Sequence, residues 1–275
     1  MSIIGHERTW KLLCALHERE ALPHALMLWG AEGVGKRTLA HAFAAHIEGR
    51  EANVVSRQPL LDALFLAPDE KGTLGIDAVR ELKEFLSRTP VASPCRTAII
   101  TDADRATPEA QNAFLKIAED PPAHAFIMIT VRHPDALLGT LVSRFQKIHV
   151  PSVSNEVIAS WLEDAHGFLH ERAVRAAAYS CGAPGIALEV LQEGTYRETY
   201  RVAKNFLSLG DAERRALIKT LLEDEQFDLQ EFLDAAILTA YRAPQKNTAL
   251  LARLIALRTD AALWNVNPRL QLEAL

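Results

Sequence analysis

The sequence predicts an α/β domain with a mainly parallel sheet, followed by a small helical domain and an all-α domain. Three observations support this. Short apolar runs alternate with segments of helical periodicity over the first 150 residues, as they do in βαβ units. Strand signals nearly vanish after Pro151. The 275 residues, 49% of them hydrophobic, suffice for about two domains with real cores.

The elements of the first domain follow from the spacing of apolar residues and from Pro and Gly. Trp10, Leu13 and Leu16 recur at helical spacing and Pro23 blocks continuation, so a helix is predicted over residues 7–22. Continuous apolar runs suit strands that are covered on both faces. Four strands are predicted, at residues 25–29, 61–66, 97–101 and 126–130. Helices are predicted at residues 36–47, 75–88 and 108–118.

The remainder of the chain is predicted to be helical. Residues 154–193 read as three short helices, interrupted by Gly167 and by the segment Gly182-Ala183-Pro184-Gly185. Residues 196–264 read as longer amphipathic helices. The domain boundaries are therefore placed at 1–150, 151–195 and 196–275.

Charge and cysteine content exclude several classes of protein. The net charge is −5 and no region is a basic arm, which argues against a chain that grips nucleic acid alone through bulk charge. Cys14, Cys95 and Cys181 are too far apart for a disulfide framework or a CxxC metal site. No apolar run has the length of a signal or a membrane span. A cytoplasmic chain without membrane contact is expected.

The segment GAEGVGK, residues 30–36, lies between a predicted strand and a predicted helix, the context that a phosphate-binding loop requires. Glycines permit the positive φ values that turn N–H groups inward, and the helix N-terminus and Lys36 supply positive charge. A plain glycine turn is the alternative. The candidate nucleotide-binding residues are Gly30, Gly33, Val34, Gly35, Lys36, Arg37 and Thr38.

Two features depart from a working metal-dependent site: the residue after the lysine and the acidic pair. The residue after Lys36 should be Ser or Thr, whose hydroxyl holds magnesium, but it is Arg37. A shift of one helical residue rotates a side chain by about 100°, so Thr38 does not simply replace it. Thr101 and Asp102 stand where a metal-binding Asp and a catalytic Glu are expected, a degenerate acidic motif. Alternatively, Asp102 and Asp104 cap the helix near Thr107.

Six segments resemble, in the same order, the bacterial clamp-loader subunits of DNA polymerase III. Within this family the chain is most similar to the delta-prime subunits rather than to gamma/tau. The segments are PHALMLWGAEGVGK from Pro23, GIDAVRELKEFLSRTP from Gly75, TDADRATPEAQNAFLKIAEDPP from Thr101, Ser143-Arg144-Phe145, GAPGIAL from Gly182 and NVNPRLQLEAL from Asn265.

The resemblance implies an AAA+ fold: a nucleotide-binding domain, a helical lid and a helical collar that joins five subunits in a ring. The implied partners are the gamma/tau and delta subunits, the sliding clamp, and primer–template DNA contacted through the assembly. Arg144 matches the arginine finger, which acts in trans at the ATP site of the neighbouring subunit. Gly185 stands where an ATP-hydrolysing relative carries a lid arginine, and Thr130 lies near a sensor position. The family's four-cysteine zinc module is missing from residues 49–60, so no zinc or other metal is expected.

The resemblance and the altered loop together favour a structural subunit that donates an arginine finger and has little or no ATPase of its own. Binding of ATP or ADP is then expected to be weak or absent. One alternative is an active gamma/tau-type ATPase, which would need metal held without Ser or Thr at position 37. Another is a nucleotide-regulated adaptor outside the replisome. For Arg144, the alternative on physical grounds alone is an ordinary surface arginine.

Overall fold

The computed structural model of the chain describes residues 3–50, 59–192, 195–223, 227–242, 247–263 and 267–273. It divides into two compact units, Met1–Leu188 and Glu189–Leu275. The first unit contains the predicted domain 1–150 together with most of the predicted lid. The division into three domains stays a prediction.

A parallel sheet with strand order β2-β3-β4-β1-β5 forms the centre of the first unit. Its strands are β1 Ala25–Trp29, β2 Ala63–Leu66, β3 Arg96–Ile100, β4 Ala125–Val131 and β5 Gln146–His149. The helices of this α/β part are α1 Glu7–Glu18, α2 Lys36–Ile47, α3 Ile76–Leu86, α4 Pro108–Glu119 and the short α5 Gly139–Val142. The predicted α/β architecture is confirmed.

Each face of the sheet has its own hydrophobic core, because successive strand side chains point to opposite faces. In β4, Ile127 packs with Leu82 of α3 and Phe114 of α4 in one core. Its neighbour Met128 belongs to the other core, which contains side chains of α1 and α2 such as Phe43. Coverage on both faces is the reason why the central strands are continuous apolar runs.

Strand β5 and helix α5 are elements that the apolar pattern does not predict. Only Ile148 is buried in β5, because this strand lies at the edge of the sheet and pairs with β1 alone. An edge strand therefore lacks the continuous apolar run by which the central strands are recognised. The other predicted elements of the sheet and its helices are present, although α1 ends at Glu18 rather than at residue 22.

Three short helices follow the sheet, as predicted: α6 Asn155–His166, α7 His170–Tyr179 and α8 Pro184–Gln192. Ser154 caps α6 by accepting the N–H of Val157 at 3.4 Å. Gly167 ends α6 in the left-handed region at φ +70°. This helix end explains why a glycine interrupts the pattern there.

Within the described residues of the second unit, all regular elements are helices. Its core is built around Phe206 and Phe232, whose ring centroids are 5.4 Å apart in an edge-to-face arrangement. Arg258 donates two hydrogen bonds to Asp234, at 2.7 and 3.0 Å. The helices are α9 Thr195–Ser208, α10 Asp211–Glu223, α11 Leu229–Arg242, α12 Thr248–Leu263 and α13 Pro268–Glu273. None of the helices in the described ranges is sufficiently long and apolar to cross a membrane.

Candidate nucleotide-binding site and arginine finger

The predicted phosphate loop joins the carboxyl end of β1 to the first turn of α2. Gly30, Gly33 and Gly35 have φ values of +156°, +71° and +107°, a region that residues with a Cβ rarely adopt. A Cβ at Gly30 would also lie 2.3 Å from the carbonyl oxygen of Val150. The backbone therefore has the glycine-dependent shape that a phosphate loop needs.

Lys36 is anchored inside this loop. Its Nζ donates hydrogen bonds to the carbonyl oxygens of Gly30 and Ala31, both at 2.8 Å. Burial lowers the pKa of Lys36, while the carboxylates of Asp102, Asp104 and Glu32 oppose that effect. The ammonium group thus lies beneath the loop with acidic side chains around it.

His6 supports the loop from the segment before α1. It is buried, and its Nε2 lies 2.7 Å from the carbonyl oxygen of Val34, which is itself buried. Sequence reasoning missed His6, because nothing in the local pattern connects a residue before the first helix with a loop 28 positions later.

The structure brings Arg37 together with both residues of the degenerate acidic motif. Its Nη2 donates to Thr101 Oγ1 at 3.4 Å and lies 3.7 Å from Asp102 Oδ2. The Thr101 hydroxyl donates its own hydrogen to the carbonyl oxygen of Leu66 at 3.2 Å. Thr130 Oγ1 accepts the backbone N–H of Asp102 at 3.0 Å. Arg37 therefore lies between the two side chains at the metal-binding and catalytic positions.

The interpretation of Asp102 and Asp104 as caps of α4 is wrong. Thr107 caps that helix by accepting the N–H of Ala110 at 3.2 Å. Thr107 directly precedes Pro108, which occupies the first turn, so its side chain has the ordinary capping position. The two carboxylates face arginines instead.

Arg132, directly after β4, is a further residue that sequence reasoning missed. Its guanidinium lies 3.3 Å from Glu32 Oε2 and 3.6 Å from Asp104 Oδ2. The carboxyl ends of neighbouring parallel strands meet at one edge of a sheet, and that rule could have indicated Arg132. The loop charge cluster, as we call these side chains, comprises Lys36, Arg37, Arg132, Glu32, Asp102 and Asp104.

The beginning of α8 packs directly against the phosphate loop. The N–H of Gly185 donates to the carbonyl oxygen of Gly33 at 2.8 Å. A Cβ at Gly185 would lie 3.0 Å from that same oxygen, and one at Gly33 would lie 2.8 Å from Ile186 Cγ1. Two glycines therefore permit this close approach, and one of them occupies the position of the lid arginine implied by the resemblance.

The magnesium ion that a phosphate-loop fold implies does not fit these residues. Position 37 carries a cation in place of a hydroxyl, and the oxygen of Thr101 already accepts an N–H of the Arg37 guanidinium at 3.4 Å. Among the described residues, no three His, Cys, Asp or Glu side chains are grouped to hold a metal ion. Most of the segment where the zinc module is missing, residues 51–58, lies outside the described residues. The expectation of no zinc stays a prediction.

Arg144 lies between α5 and β5, at the edge of the sheet opposite to the phosphate loop. Strand β5 is parallel to β1, and Gln146 at its start pairs with Leu26 near the start of β1. The phosphate loop follows the carboxyl end of β1. The rise per residue of a strand places the start of that loop about 13 Å from Leu26. Arg144 Nη2 donates to Glu119 Oε1 at 2.6 Å, and Nη1 donates to Ser143 Oγ at 3.1 Å. This placement directs Arg144 away from the chain's own loop.

Comparison with known proteins decides the family. A family model described as DNA polymerase III, delta subunit, matches residues 5–154, which is more than half of the chain. The chain belongs to this family. The predicted resemblance to delta-prime and gamma/tau subunits is confirmed, because the sequence is similar to individual subunits of both kinds.

The delta-prime subunit of Escherichia coli K12 is 31% identical over 193 residues, covering 64% of this chain and 57% of that subunit. The delta-prime subunit of Haemophilus influenzae is 26% identical over 195 residues, covering 67% and 58%. A gamma/tau subunit of Mycobacterium tuberculosis is 27% identical over 154 residues, covering 52% and 27%. The chain thus aligns with a little over half the length of these delta-prime subunits of DNA polymerase III.

Two solved structures share the fold of this chain. A DNA polymerase III gamma subunit-related protein from Thermotoga maritima has a TM-score of 0.59 at 19% identity, covering 95% of this chain and 96% of its own. The RuvB Holliday junction branch migration motor from the same organism has a TM-score of 0.52 at 17% identity, covering 97% and 87%. These likenesses confirm the predicted AAA+ fold and, at such identities, speak for the fold alone.

Proposed function

We propose that the chain is a delta-prime-like subunit of the DNA polymerase III clamp loader, which helps to load the sliding clamp onto primer–template DNA. In this role it is a structural subunit and arginine-finger donor in a five-membered ring with gamma/tau and delta subunits. It works in the cytoplasm. With a net charge of −5, it contacts DNA as part of the assembly rather than alone.

The observation that carries this proposal is the placement of Arg144. Its side chain is 42% exposed and lies at the edge of the sheet opposite to its own phosphate loop. A guanidinium placed in this way is able to act only on a nucleotide that another subunit holds. Arginine fingers supplied in trans stabilise the charge that develops during phosphoryl transfer.

The chain's own site supports the same assignment. A metal-assisted hydrolytic site needs a hydroxyl at the position of Arg37 and a carboxylate at the position of Thr101, and neither group is present there. At the position where an ATP-hydrolysing relative carries a lid arginine, Gly185 has no side chain and contacts Gly33 through its backbone N–H. ATP or ADP is therefore at most a weak ligand and not a substrate.

The rival function is an active gamma/tau-type ATPase, because the loop retains Lys36 and its three glycines with positive φ. The second rival is a nucleotide-regulated adaptor outside the replisome. The three functions differ in stoichiometry and in the partners that the chain binds. A mixing experiment therefore separates them.

The full chain is mixed with the gamma/tau and delta subunits of the same bacterium, and the mass of the product is measured by native mass spectrometry. We expect one copy of the chain in a five-membered assembly. Several copies per assembly would favour the gamma/tau-type alternative. Absence from the assembly would contradict the proposal and favour an adaptor.

A further inference from the structure

We propose that the phosphate loop binds the phosphates of a nucleoside di- or triphosphate without a divalent cation, with the Arg37 guanidinium in the place of the ion. The proposal deepens the proposed function, on which it rests in taking the loop as a nucleotide site. It follows from the mismatch between magnesium and the residues present.

The position of Arg37 is the first step. A metal-dependent loop holds its ion between the side chain after the lysine and the acidic residue that ends the neighbouring strand. Here those residues are Arg37 and Thr101, and the guanidinium Nη2 lies 3.4 Å from Thr101 Oγ1 and 3.7 Å from Asp102 Oδ2. One positive group of the chain thus already lies between the two places from which metal ligands would come.

The charges around the loop are the second step. Within the loop charge cluster, Asp102 lies beside Arg37, and Asp104 lies beside Arg132. A divalent cation would have to displace a guanidinium from its carboxylate and would also be repelled by Lys36. The cluster contains three cations and three carboxylates, so its charges balance. A phosphate group is attracted by the exposed Arg37 guanidinium, whose Nη2 is 3.7 Å from Asp102 Oδ2 and therefore only loosely paired.

The capacity of these groups for hydrogen bonding is the third step. The Lys36 ammonium uses two N–H groups on Gly30 and Ala31 and has a third for a phosphate oxygen. The Arg37 side chain is 60% exposed, and a planar guanidinium is able to bind two phosphate oxygens at once. The first turn of α2 presents its free N–H groups to the same side.

The test measures ADP binding to the full chain by titration calorimetry, once in excess EDTA and once in excess magnesium chloride. We expect dissociation constants that agree within about twofold. A dissociation constant about tenfold lower with magnesium, about 1.4 kcal/mol, would overturn the proposal. Failure to bind at about 1 mM ADP in either buffer would overturn it as well.

Two variants assign the effect to Arg37. R37T alone should weaken ADP binding about tenfold in EDTA, because no cation replaces the guanidinium there. The double variant R37T/T101D restores a hydroxyl and a carboxylate, so magnesium should tighten its binding about tenfold. R80T is the matched control, since Arg80 is an exposed arginine paired with a carboxylate, Asp77, on α3, and it should bind ADP as the unchanged chain does. Equal binding by R37T and R80T would contradict the role of Arg37.

Thermal melting of each variant identifies any that fails to fold, and the comparison of buffers on the unchanged chain decides the proposal even then. The mixing experiment reports on the proposed function independently. A chain that enters the assembly but binds no ADP would retain the proposed function and refute metal-free binding.

Discussion

The guanidinium of Arg144 is held by the carboxylate of Glu119, with 2.6 Å between Nη2 and Oε1. Glu119 ends α4 and Arg144 precedes β5, so the pair joins two elements at the amino edge of the sheet. Both side chains are about half exposed, at 52% and 42%. Exposed ion pairs contribute about 0–1 kcal/mol to stability. Glu119 therefore orients the arginine while a stronger anion, such as a phosphate, remains able to displace it.

The first prediction concerns Arg144→Ala in the assembled clamp loader. Turnover at the neighbouring ATP site should fall about 10³-fold or more, because the charge of the transition state loses its guanidinium, and clamp loading should slow with it. Arg144→Lys should also fail, since an ammonium lacks the planar fork. Phosphate release and clamp loading by the reconstituted assembly are the measurements.

Folding is the control for this prediction. Arg144→Ala should change the free energy of unfolding by about 0.5 kcal/mol or less, as for other exposed positions. Arg80→Ala removes a comparable exposed arginine beside a carboxylate and should leave both turnover and loading unchanged. A normal ATPase rate in an assembly that contains Arg144→Ala would contradict the arginine-finger assignment and show that Arg144 is an ordinary surface residue.

The second prediction is that the isolated chain hydrolyses ATP negligibly. Arg37, Thr101 and Gly185 each stand where a group that supports the transition state is expected, so three contributions are lost together. Release of inorganic phosphate by the purified chain measures the rate. Turnover at about 1 per second or faster, within the range of ordinary phosphoryl-transfer enzymes, would contradict the prediction.

The third prediction concerns Asp62, a carboxylate with 0% exposure that accepts the backbone N–H groups of Val91, Ala92 and Ser93. Asp62→Ala should destabilise the chain by about 3 kcal/mol, because these donors lose a charged acceptor. Asp77→Ala, at a carboxylate with 87% exposure, should cost about 0.5 kcal/mol or less. Denaturant unfolding of the two variants at neutral pH is the measurement.

The stability contributed by Asp62 should also depend on pH. Burial alone would raise its pKa, but the hydrogen bonds from residues 91–93 hold the pKa below its usual value. A carboxyl whose pKa is lower in the folded state contributes its stability above the unfolded pKa of about 4 and loses it as pH falls through the folded value. The difference in unfolding free energy between the unchanged chain and Asp62→Ala should therefore shrink in acid. A constant difference down to about pH 2 would contradict this cause.

The fourth prediction concerns the contact between α8 and the loop. Gly185→Ala places a methyl 3.0 Å from the carbonyl oxygen of Gly33, so α8 has to shift, at a cost of about 1–3 kcal/mol. Gly139→Ala is the matched control, since Gly139 also lies in the first turn of a helix and its Cβ would meet nothing within 4 Å. Thermal unfolding of both variants checks this, and equal melting temperatures would show that the contact tolerates a methyl group.

Local features were predictable because the forces that produce them act over a few residues. The strand at 25–29 and the helix at 36–47 lie where apolar runs and helical periodicity place them. The loop between them is recognisable because glycine, lysine and a helix start occur within seven positions. The replacement of the expected Ser or Thr by Arg37 was equally predictable, since it concerns the residue type at one fixed position of the loop.

The contacts that define the site were decided by the tertiary structure alone. His6 meets Val34 because α1 packs in the same core as α2 and the loop residue Val34. Arg132 meets Glu32 because β4 lies beside β1 in the sheet. Thr101 and Asp102 were recognised as residues, but their contact with Arg37 depends on the position of β3 in that sheet. Strand order arises from packing of the whole unit and not from local pattern. The sequence by itself therefore determined the family, the loop and its altered residue, while only the fold decided which charges surround the loop and where Arg144 points.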